Sequence, residues 1–232
     1  MSVDEILNKA RTQRRKVLTE IEAKQILREA GIDCTDTRLA ADKARAVALS
    51  EEMGYPVVLK VSSVDITHKS DAGGVKVNLR SRTEVEEAFD AIMASCKAAC
   101  PRAVIEGVAV QGMARRGTEI IMGMIKDPSF GPVVMFGLGG VLVEVLKDVA
   151  FRIVPIGKSD AAEMITEIQG RKLLEGYRGQ EPVDIAYLRD MLVKLSDFVE
   201  RTPGIEEIDM NPVFGYREGA QVVDARIILS DA

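Results

Sequence analysis

The only histidine of the chain, His68, lies in the polar segment Thr67–Gly74, which ends in two glycines. An imidazole has an ordinary pKa of about 6.5, so its neutral form offers a lone pair at physiological pH that could attack phosphorus. Gly73 and Gly74 would let backbone N–H groups converge on an anion. A solvated surface loop explains the same polar composition, so both interpretations of the segment stay open.

Lys60 interrupts the otherwise apolar run Val57–Val61. A lysine in such a strand either faces solvent on a half-exposed sheet or points into a cleft, where it meets an anion. The run itself is equally compatible with both interpretations, so the role of this lysine depends on the segments around it.

Carboxylates and one amide gather near the carboxyl end of the chain. Asp209 precedes Asn211 by two residues, and Asp224 follows on a later expected strand. A carboxylate and an amide oxygen from neighbouring strands suit Mg²⁺, which takes few protein ligands and leaves positions for water and phosphate. The alternative is that these residues, together with Glu206 and Glu207, are ordinary acids at strand ends.

Other signatures of phosphate or metal binding are incomplete. A Walker A loop is absent, because the nearest match, Gly112–Gly117, is not followed by the lysine. The Gly-x-Gly of Phe136–Gly140 has Leu142 at the third glycine position, so a tight turn is the simpler interpretation than a dinucleotide loop. Cys96 and Cys100 have no second Cys or His pair to complete a zinc site, and we expect reduced thiols.

Residue spacing predicts the elements that carry these side chains. Ser2–Glu5 and Thr19–Glu22 have the spacing of capping boxes, and Thr83–Glu86 is expected to open a helix that runs to about Cys100. Gly31 is expected to end the second helix. The other predicted helices are 42–54, 160–169 and 184–201, and the predicted strands are 55–61, 75–79, 108–111, 119–125, 133–136, 205–211 and 221–229.

The order of these elements predicts an α+β protein with two lobes, formed by residues 1–109 and 110–232, in which the first helix packs on the other lobe. The net charge is −5, basic residues are interspersed with acids, and tryptophan is absent, which argues against a nucleic-acid partner. No apolar run approaches the roughly 20 residues that span a membrane, and the amino terminus has no signal-peptide pattern. We therefore expect a cytoplasmic protein.

Five strings of this sequence, in this order, resemble the beta subunit of ADP-forming acetyl-CoA synthetases, a group within the ATP-grasp family. The likeness extends from about residue 15 to residue 230, and several motifs at family-like spacing are more specific than any one of them. The strings are Gly54–Lys60, Ile66–Val75, Asp127–Gly140, Glu144–Arg152 and Ile208–Pro212.

The resemblance implies the ATP-grasp fold, in which a nucleotide lies between two α+β lobes. Lys60 would contact the nucleotide phosphates. Backbone groups of Gln111 and Met113 would read the adenine edge, and Glu119 would accept hydrogen bonds from the ribose hydroxyls. ATP or ADP would be the substrate of this site.

The resemblance also implies a metal and a covalent intermediate. Asn211 and Asp224 match the ligands of Mg²⁺, and His68 matches a histidine that relays a phosphoryl group. Asp209 stands where related succinyl-CoA synthetases have a glutamate near the phosphohistidine, and its shorter side chain is a departure from that pattern.

The implied reaction is acyl-CoA + ADP + phosphate ⇌ acid + CoA + ATP, carried out with an alpha subunit that binds CoA and has its own phosphohistidine. An α₂β₂ assembly is the family expectation. Two alternatives stay open. One is an ATP-grasp ligase that joins a carboxylate to an amine, which does not call for a histidine in the glycine-rich loop. The other is a nucleotide-binding subunit without catalytic activity.

Overall fold

A computed structural model of the chain describes residues 1–66, 68–140 and 148–230. Six α-helices, one 3₁₀ helix and ten strands lie within these ranges. In chain order they are α1 (Val3–Thr12), α2 (Glu20–Glu29), β1 (Thr37–Ala40), α3 (Lys43–Met53), β2 (Val57–Ser62), β3 (Val75–Leu79), α4 (Arg82–Ala99), β4 (Gly107–Gly112), β5 (Thr118–Asp127), β6 (Gly131–Leu138), β7 (Val149–Ile153), α5 (Lys158–Glu167), the 3₁₀ helix Gln169–Leu173, α6 (Ile185–Arg201), β8 (Ile205–Gly215), β9 (Ala220–Val222) and β10 (Ala225–Leu229).

The chain divides into two compact units. The large unit consists of Met1–Leu18, Ala23–Cys34 and Arg116–Ala232, and the small unit consists of Thr19–Glu22 and Thr35–Arg115. No helix in the described ranges combines the length and apolarity needed to cross a membrane.

The small unit is built on an antiparallel sheet with the strand order β1-β4-β2-β3. Every residue of β2 is buried, as expected for an apolar strand in the interior of a sheet. Leu49 of α3 and Ile92 of α4 are fully buried in the same core as Leu59 of β2. The sheet and its two helices therefore form one hydrophobic core.

The chain leaves the small unit after Arg115, whereas the sequence suggested a division after residue 109. Strand β4 explains the difference, because it stays paired with its neighbours to its last residue. Gln111 is opposite Thr37 of β1, and Gly112 is opposite Val57 of β2. These ladder pairs keep residues 110–112 in the sheet of the small unit.

The large unit has an antiparallel sheet with the order β10-β8-β5-β6-β7, and β9 also pairs with β8. One face of this sheet forms the core with the helices. Met122 and Phe136 of the sheet are fully buried, as are Ile6 of α1, Met164 of α5 and Leu192 of α6. Helix α6 has a strongly amphipathic pattern, which explains why one of its sides lies in this core.

The helix starts are partly those that the sequence predicts. The capping boxes at Ser2 and Thr19 are confirmed, and in each the hydroxyl accepts a hydrogen bond from a backbone N–H three residues later. The predicted start at Thr83 is wrong, because the N-cap of α4 is Ser81, whose side chain accepts from the N–H of Glu84. Ser81 and Thr83 both have the hydroxyl group that is preferred at an N-cap, so the local sequence alone does not show which of them caps the helix.

Two strands were not predicted and one prediction was too long. The short β1 has only four residues, two of which are polar, and β7 is half-exposed and contains Arg152. The predicted strand 221–229 consists of β9 and β10, which are separated by residues 223 and 224. Pro212, opposite this gap, has no N–H to donate, so the ladder loses one bond there.

Candidate functional site

A buried ion cluster surrounds Lys60 in the small unit. The Lys60 side chain extends from strand β2 with only 8% of its surface exposed, and its Nζ is 2.6 Å from Oε1 of Glu20. The second oxygen of Glu20 is 2.5 Å from Nζ of Lys69. Charges taken out of water need partners, and one carboxylate here serves two ammonium groups. Lys60 therefore does not lie on a solvated sheet face, which was one of its two interpretations.

The loop that carries His68 is a compact turn with the imidazole at its exposed start. The N–H of Ala72 donates to the carbonyl of His68 at 3.3 Å, and the N–H of Gly74 donates to the carbonyl of Lys69 at 2.7 Å. Thr67 lies outside the described residues. The histidine is thus solvent-accessible on a backbone that is held by its own hydrogen bonds.

The two loop glycines have a different role from the predicted one. The N–H groups of Gly73 and Gly74 donate to carbonyls of the same turn, so in this geometry they do not converge on an anion. Gly73 has a φ of +68°, which favours glycine, and a Cβ on Gly74 would lie 2.6 Å from Cγ1 of Val61. Gly73 permits the backbone conformation of the turn, and Gly74 permits its close packing against β2.

The segment predicted to read adenine begins within β4. Gln111 is buried between β1 and β2, and its side chain is 3.4 Å from the hydroxyl of Thr37. The N–H of Met113 donates to the carbonyl of Pro56 at 3.0 Å. A hydrogen bond from this N–H to a base would have to replace that bond. The Met113 side chain is exposed.

Glu119 lies beside the glycine-rich turn of the large unit. It is exposed at the start of β5, and its carbonyl accepts from the N–H of Gly139 at 2.8 Å. Gly140 has a φ of +63°, and a Cβ there would lie 2.1 Å from Oε2 of Glu119. The turn after β6 therefore requires glycine where the carboxylate lies against it. Leu142 and Glu144, which belong to two sequence motifs, lie outside the described residues.

Asp209, Asn211 and Asp224 lie together on one part of the large-unit sheet. The register that pairs Val213 with Val222 also pairs Ala225 with Met210, so Asp224 is opposite Asn211. Asp209 is two residues from Asn211 on β8 and shares its face, because side chains of a strand alternate. All three side chains are half-buried.

The surroundings of Asp209 disfavour its charge. Burial is the main cause that raises its pKa, and the negative charges of Glu207 and Asp224 raise it further. The guanidinium of Arg226, whose Nη2 is 3.9 Å from the carboxylate, acts in the opposite direction. Arg226 also pairs with Glu207 at 2.5 Å. This carboxylate is therefore more easily protonated than an ordinary aspartate.

The donor set around Asp224 fits a hard cation that keeps much of its water. Among the described residues no group of three or more His, Cys, Asp or Glu could hold a metal ion. One carboxylate and one amide at opposite positions form a small donor set of oxygen type, as Mg²⁺ accepts when phosphates and waters supply the rest.

Sequence reasoning missed two buried charged side chains, those of Lys24 and Asp148. Lys24 of α2 is fully buried, and its Nζ donates to the carbonyl of Val223 at 2.7 Å, next to Asp224. Asp148 is buried and accepts from the N–H groups of Gln169 and Gly170 at 2.8 and 2.7 Å. Each depends on a partner that is distant in the chain, so no local pattern signals it.

The predicted site residues thus form separate groups within each unit. In the small unit the structure brings Lys60 together with the histidine loop. In the large unit it brings Glu119 to the glycine-rich turn and groups Asp209 with Asn211 and Asp224.

Comparison with known proteins gives consistent matches over nearly the whole chain. The profile of a family described as the ATP-grasp domain matches residues 9–229. The chain is 49% identical to the beta subunit of acetate–CoA ligase (ADP-forming) I of Pyrococcus furiosus, over 97% of each chain. It is 45% identical to acetate–CoA ligase (ADP-forming) I of Archaeoglobus fulgidus, over 89% of this chain but only 30% of that longer protein.

Solved structures agree with the sequence matches. An acetyl-coenzyme A synthetase 1 from Candidatus Korarchaeum cryptofilum, in complex with coenzyme A and Ca-AMPCP, is similar with a TM-score of 0.95 and 49% identity, over 97% of this chain and 99% of that chain. A second complex of that enzyme, with coenzyme A and Mg-AMPPCP and a phosphohistidine segment pointing towards the nucleotide binding site, has a TM-score of 0.86 and 45% identity, over 98% of this chain and 100% of that chain.

Proposed function

The chain belongs to the ATP-grasp family, among the beta subunits of ADP-forming acetate–CoA ligases, and from this premise we propose that it is the nucleotide-binding subunit of such a ligase. It is an enzyme subunit that transfers a phosphoryl group between a phosphohistidine and ADP or ATP. The complete reaction is acyl-CoA + ADP + phosphate ⇌ acid + CoA + ATP.

The observation that carries this proposal is the buried Lys60 of a cluster that also holds Lys69, the neighbour of the exposed His68. Phosphoryl transfer asks a protein chiefly for alignment and charge neutralisation. A lysine fixed inside a strand supplies a positive charge of defined position, and an accessible imidazole beside the cluster supplies a nucleophile.

The covalent step is a displacement at the γ-phosphorus of ATP. The lone pair of the His68 imidazole forms the new P–N bond, and the bond from phosphorus to the oxygen of ADP breaks. The electron pair of that bond leaves with ADP, while the second ring nitrogen keeps its proton. The reverse step makes ATP from ADP. We propose Asp209 as the acidic partner of the phosphohistidine, the role that its position in the family pattern implies.

Asn211 and Asp224 would hold Mg²⁺, and the ion would neutralise charge on the phosphate oxygens when bound. The register of β8 with β9 and β10 puts the two residues opposite each other, with Asp224 in the segment between β9 and β10. Glu119 is the proposed acceptor for the ribose hydroxyls, and backbone groups of Gln111 and Met113 are the proposed readers of adenine.

An alpha subunit is the proposed partner. Subunit naming in the P. furiosus relative implies a second chain, and the A. fulgidus relative is a longer single chain of which this sequence matches 30%. CoA binding and the acyl-phosphate chemistry would belong to that partner. We propose the α₂β₂ stoichiometry that is expected for the family.

The test is co-expression with a candidate alpha subunit, followed by assay of CoA- and acid-dependent ADP formation and of labelling from γ-labelled ATP with Mg²⁺. We expect an acid-labile, base-stable phosphoryl label on this chain, and its loss in His68→Asn with nucleotide binding retained. Asp90→Asn, which removes an exposed ion-pair carboxylate of the same unit, is the control. ADP formation that depends on an amine instead of CoA, with His68→Asn as active as wild type, would favour the amine ligase. A complete lack of label would favour a non-catalytic subunit.

A further inference from the structure

Glu20 is the carboxylate that joins the two lysines of the small unit. Its side chain is 4% exposed, and its oxygens are divided between the lysines, Oε1 at 2.6 Å from Nζ of Lys60 and Oε2 at 2.5 Å from Nζ of Lys69. One lysine is on strand β2 and the other is in the histidine loop. Glu20 therefore connects the loop to the strand through a bridge of two charge-assisted hydrogen bonds, which are among the strongest in proteins.

A backbone bond connects the same loop to the same strand at its other end. The carbonyl of Gly74 accepts from the N–H of Val61 at 2.7 Å, next to Lys60. The turn between is closed by the bond from the N–H of Gly74 to the carbonyl of Lys69. The loop is thus attached to β2 at both ends, by the backbone after the turn and by the Glu20 bridge at Lys69.

The position of Glu20 is itself fixed by the start of helix α2. The Thr19 N–H donates to Oε2 of Glu22 at 3.0 Å, and the N–H of Glu22 donates to the Thr19 hydroxyl at 3.3 Å. This capping box surrounds Glu20 in the sequence and holds the first turn. A carboxylate in the first turn is also favoured by the helix dipole. The bridge is therefore anchored at the first turn of α2, where Thr19–Glu22 belong to the small unit.

We propose that Glu20 is a positioning residue for phosphoryl transfer, which holds Lys69 and thereby the adjacent His68 in fixed relation to Lys60. This inference rests on the proposed function of His68. Glu20 acts through the lysines and does not touch the phosphoryl group. Without its carboxylate, the two ammonium groups would repel each other, and Lys69 would lose the link to Lys60 that Glu20 provides. Glu20 also pairs with Lys60, so its loss affects nucleotide binding as well as transfer. The positioning role predicts that the rate of transfer at saturating ATP falls in addition to any change in the Kd.

The first experiment compares Glu20→Gln with wild type in the co-expressed complex. The rate of label transfer from γ-labelled ATP to this chain is measured in a single turnover, and the Kd of ATP with Mg²⁺ is measured by calorimetry. We expect transfer at saturating ATP to slow by about tenfold or more, a larger factor than the rise in the Kd. The Asp90→Asn control, which removes an exposed carboxylate paired with Lys43, should match wild type in both measurements.

The second experiment is a double-mutant cycle with Lys69→Met. If Glu20 acts through Lys69, the double variant is no slower than Lys69→Met alone, and Lys69→Arg keeps most of the rate. Losses that multiply in the double variant, or a Glu20→Gln rate equal to wild type, overturn the inference. If Glu20→Gln lowers the yield of folded protein, Glu20→Asp replaces it in the cycle, because it keeps the charge but shortens the reach by one methylene.

The two proposals fail in different ways. If wild type takes no label, or if His68→Asn is labelled as well as wild type, the proposed function fails. If wild type is labelled on His68 and Glu20→Gln is labelled at the same rate, only the positioning role of Glu20 fails.

Discussion

At the scale of single residues, the buried ammonium group of Lys60 is paired with the carboxylate of Glu20, and we expect loss of the Lys60 charge to weaken nucleotide binding first. We expect Lys60→Met to raise the Kd of ADP with Mg²⁺ by roughly tenfold to a hundredfold, because a hydrogen bond to a charged group contributes about 1.5–3 kcal/mol. Titration calorimetry measures this. Lys43→Met, which removes an exposed lysine paired with Asp90, should change the Kd less than about twofold.

The three cysteines differ in burial and so in reactivity. Cys34 and Cys96 are buried, and Cys100 is half-exposed at the end of α4. Thiolate formation and access both control alkylation. Brief treatment of the folded protein with iodoacetamide should therefore label Cys100 first, as read by mass spectrometry of peptides. Equal labelling of all three before unfolding would contradict the packing of Cys34 and Cys96.

Burial raises the pKa of the Cys34 thiol from 9.0 to about 11. The unfolded chain loses this proton at lower pH than the folded chain, so the contribution to stability is complete below about pH 9 and declines as pH rises towards 11. The gap in unfolding free energy between wild type and Cys34→Ala should narrow by about 1 kcal/mol between pH 8 and pH 10. Urea unfolding at the two pH values measures it, with Cys100→Ala as the control for general alkaline effects.

At the scale of elements, the start of α4 provides a direct comparison of two hydroxyl residues. Ser81 caps the helix, whereas Thr83 lies within its first turn. We expect Ser81→Ala to lower the free energy of unfolding by about 1 kcal/mol and Thr83→Ala by less than about 0.5 kcal/mol. Denaturant unfolding of the two variants checks this. The reverse order would mean that the helix starts two residues later in solution.

The same helix shows which part of the fold the sequence can predict. Short-range rules located most helices and strands, because capping boxes, apolar runs and helix-ending glycines act over a few residues. The φ of +76° at Gly31 is an example of such a local requirement that the sequence revealed. The choice between Ser81 and Thr83, and the division of β9 from β10, depend on neighbouring elements.

The candidate site likewise contains some residues that the local sequence reveals and others whose partners depend on the fold. Lys60 and His68 were singled out because each is unusual in its own segment, which left their roles open, and those roles stay predictions. Glu20 was not, because an acid in the first turn of a helix is common and its two partners are distant in the chain. The same holds for Lys24 and Asp148, whose partners follow from the fold. Asn211 and Asp224 were proposed as metal ligands from their residue types and from the family resemblance, and the register of β8 with β9 and β10 puts them opposite each other.

At the scale of the whole molecule, the amino-terminal residues belong to the core of the large unit. Ile6, Leu7 and Ala10 of α1 are buried, and the N–H of Leu18 donates to the carbonyl of Ile227 in β10. Fully buried aliphatic side chains contribute about 1.5–3 kcal/mol each.

Deletion of residues 1–18 should therefore lower the free energy of unfolding by several kcal/mol, since a native domain has only about 5–15 kcal/mol in total. Thermal unfolding followed by circular dichroism measures the effect. Replacement of residues on the solvent side of α1, for example Asn8→Ala, is the matched control and should leave the midpoint nearly unchanged. A truncated chain as stable as the full one would show that α1 does not contribute to the core in solution.

The unbroken register of residues 220–228 on β8 has a consequence for protein engineering and for divergence of related chains. A change of length at the hairpin tip, residues 216–219, leaves Asn211 opposite Asp224, whereas one residue inserted between Val222 and Ala225 shifts one partner to the other side of the sheet. The two ligand candidates can thus be transplanted together as one hairpin, and insertions in homologous chains should collect at its tip.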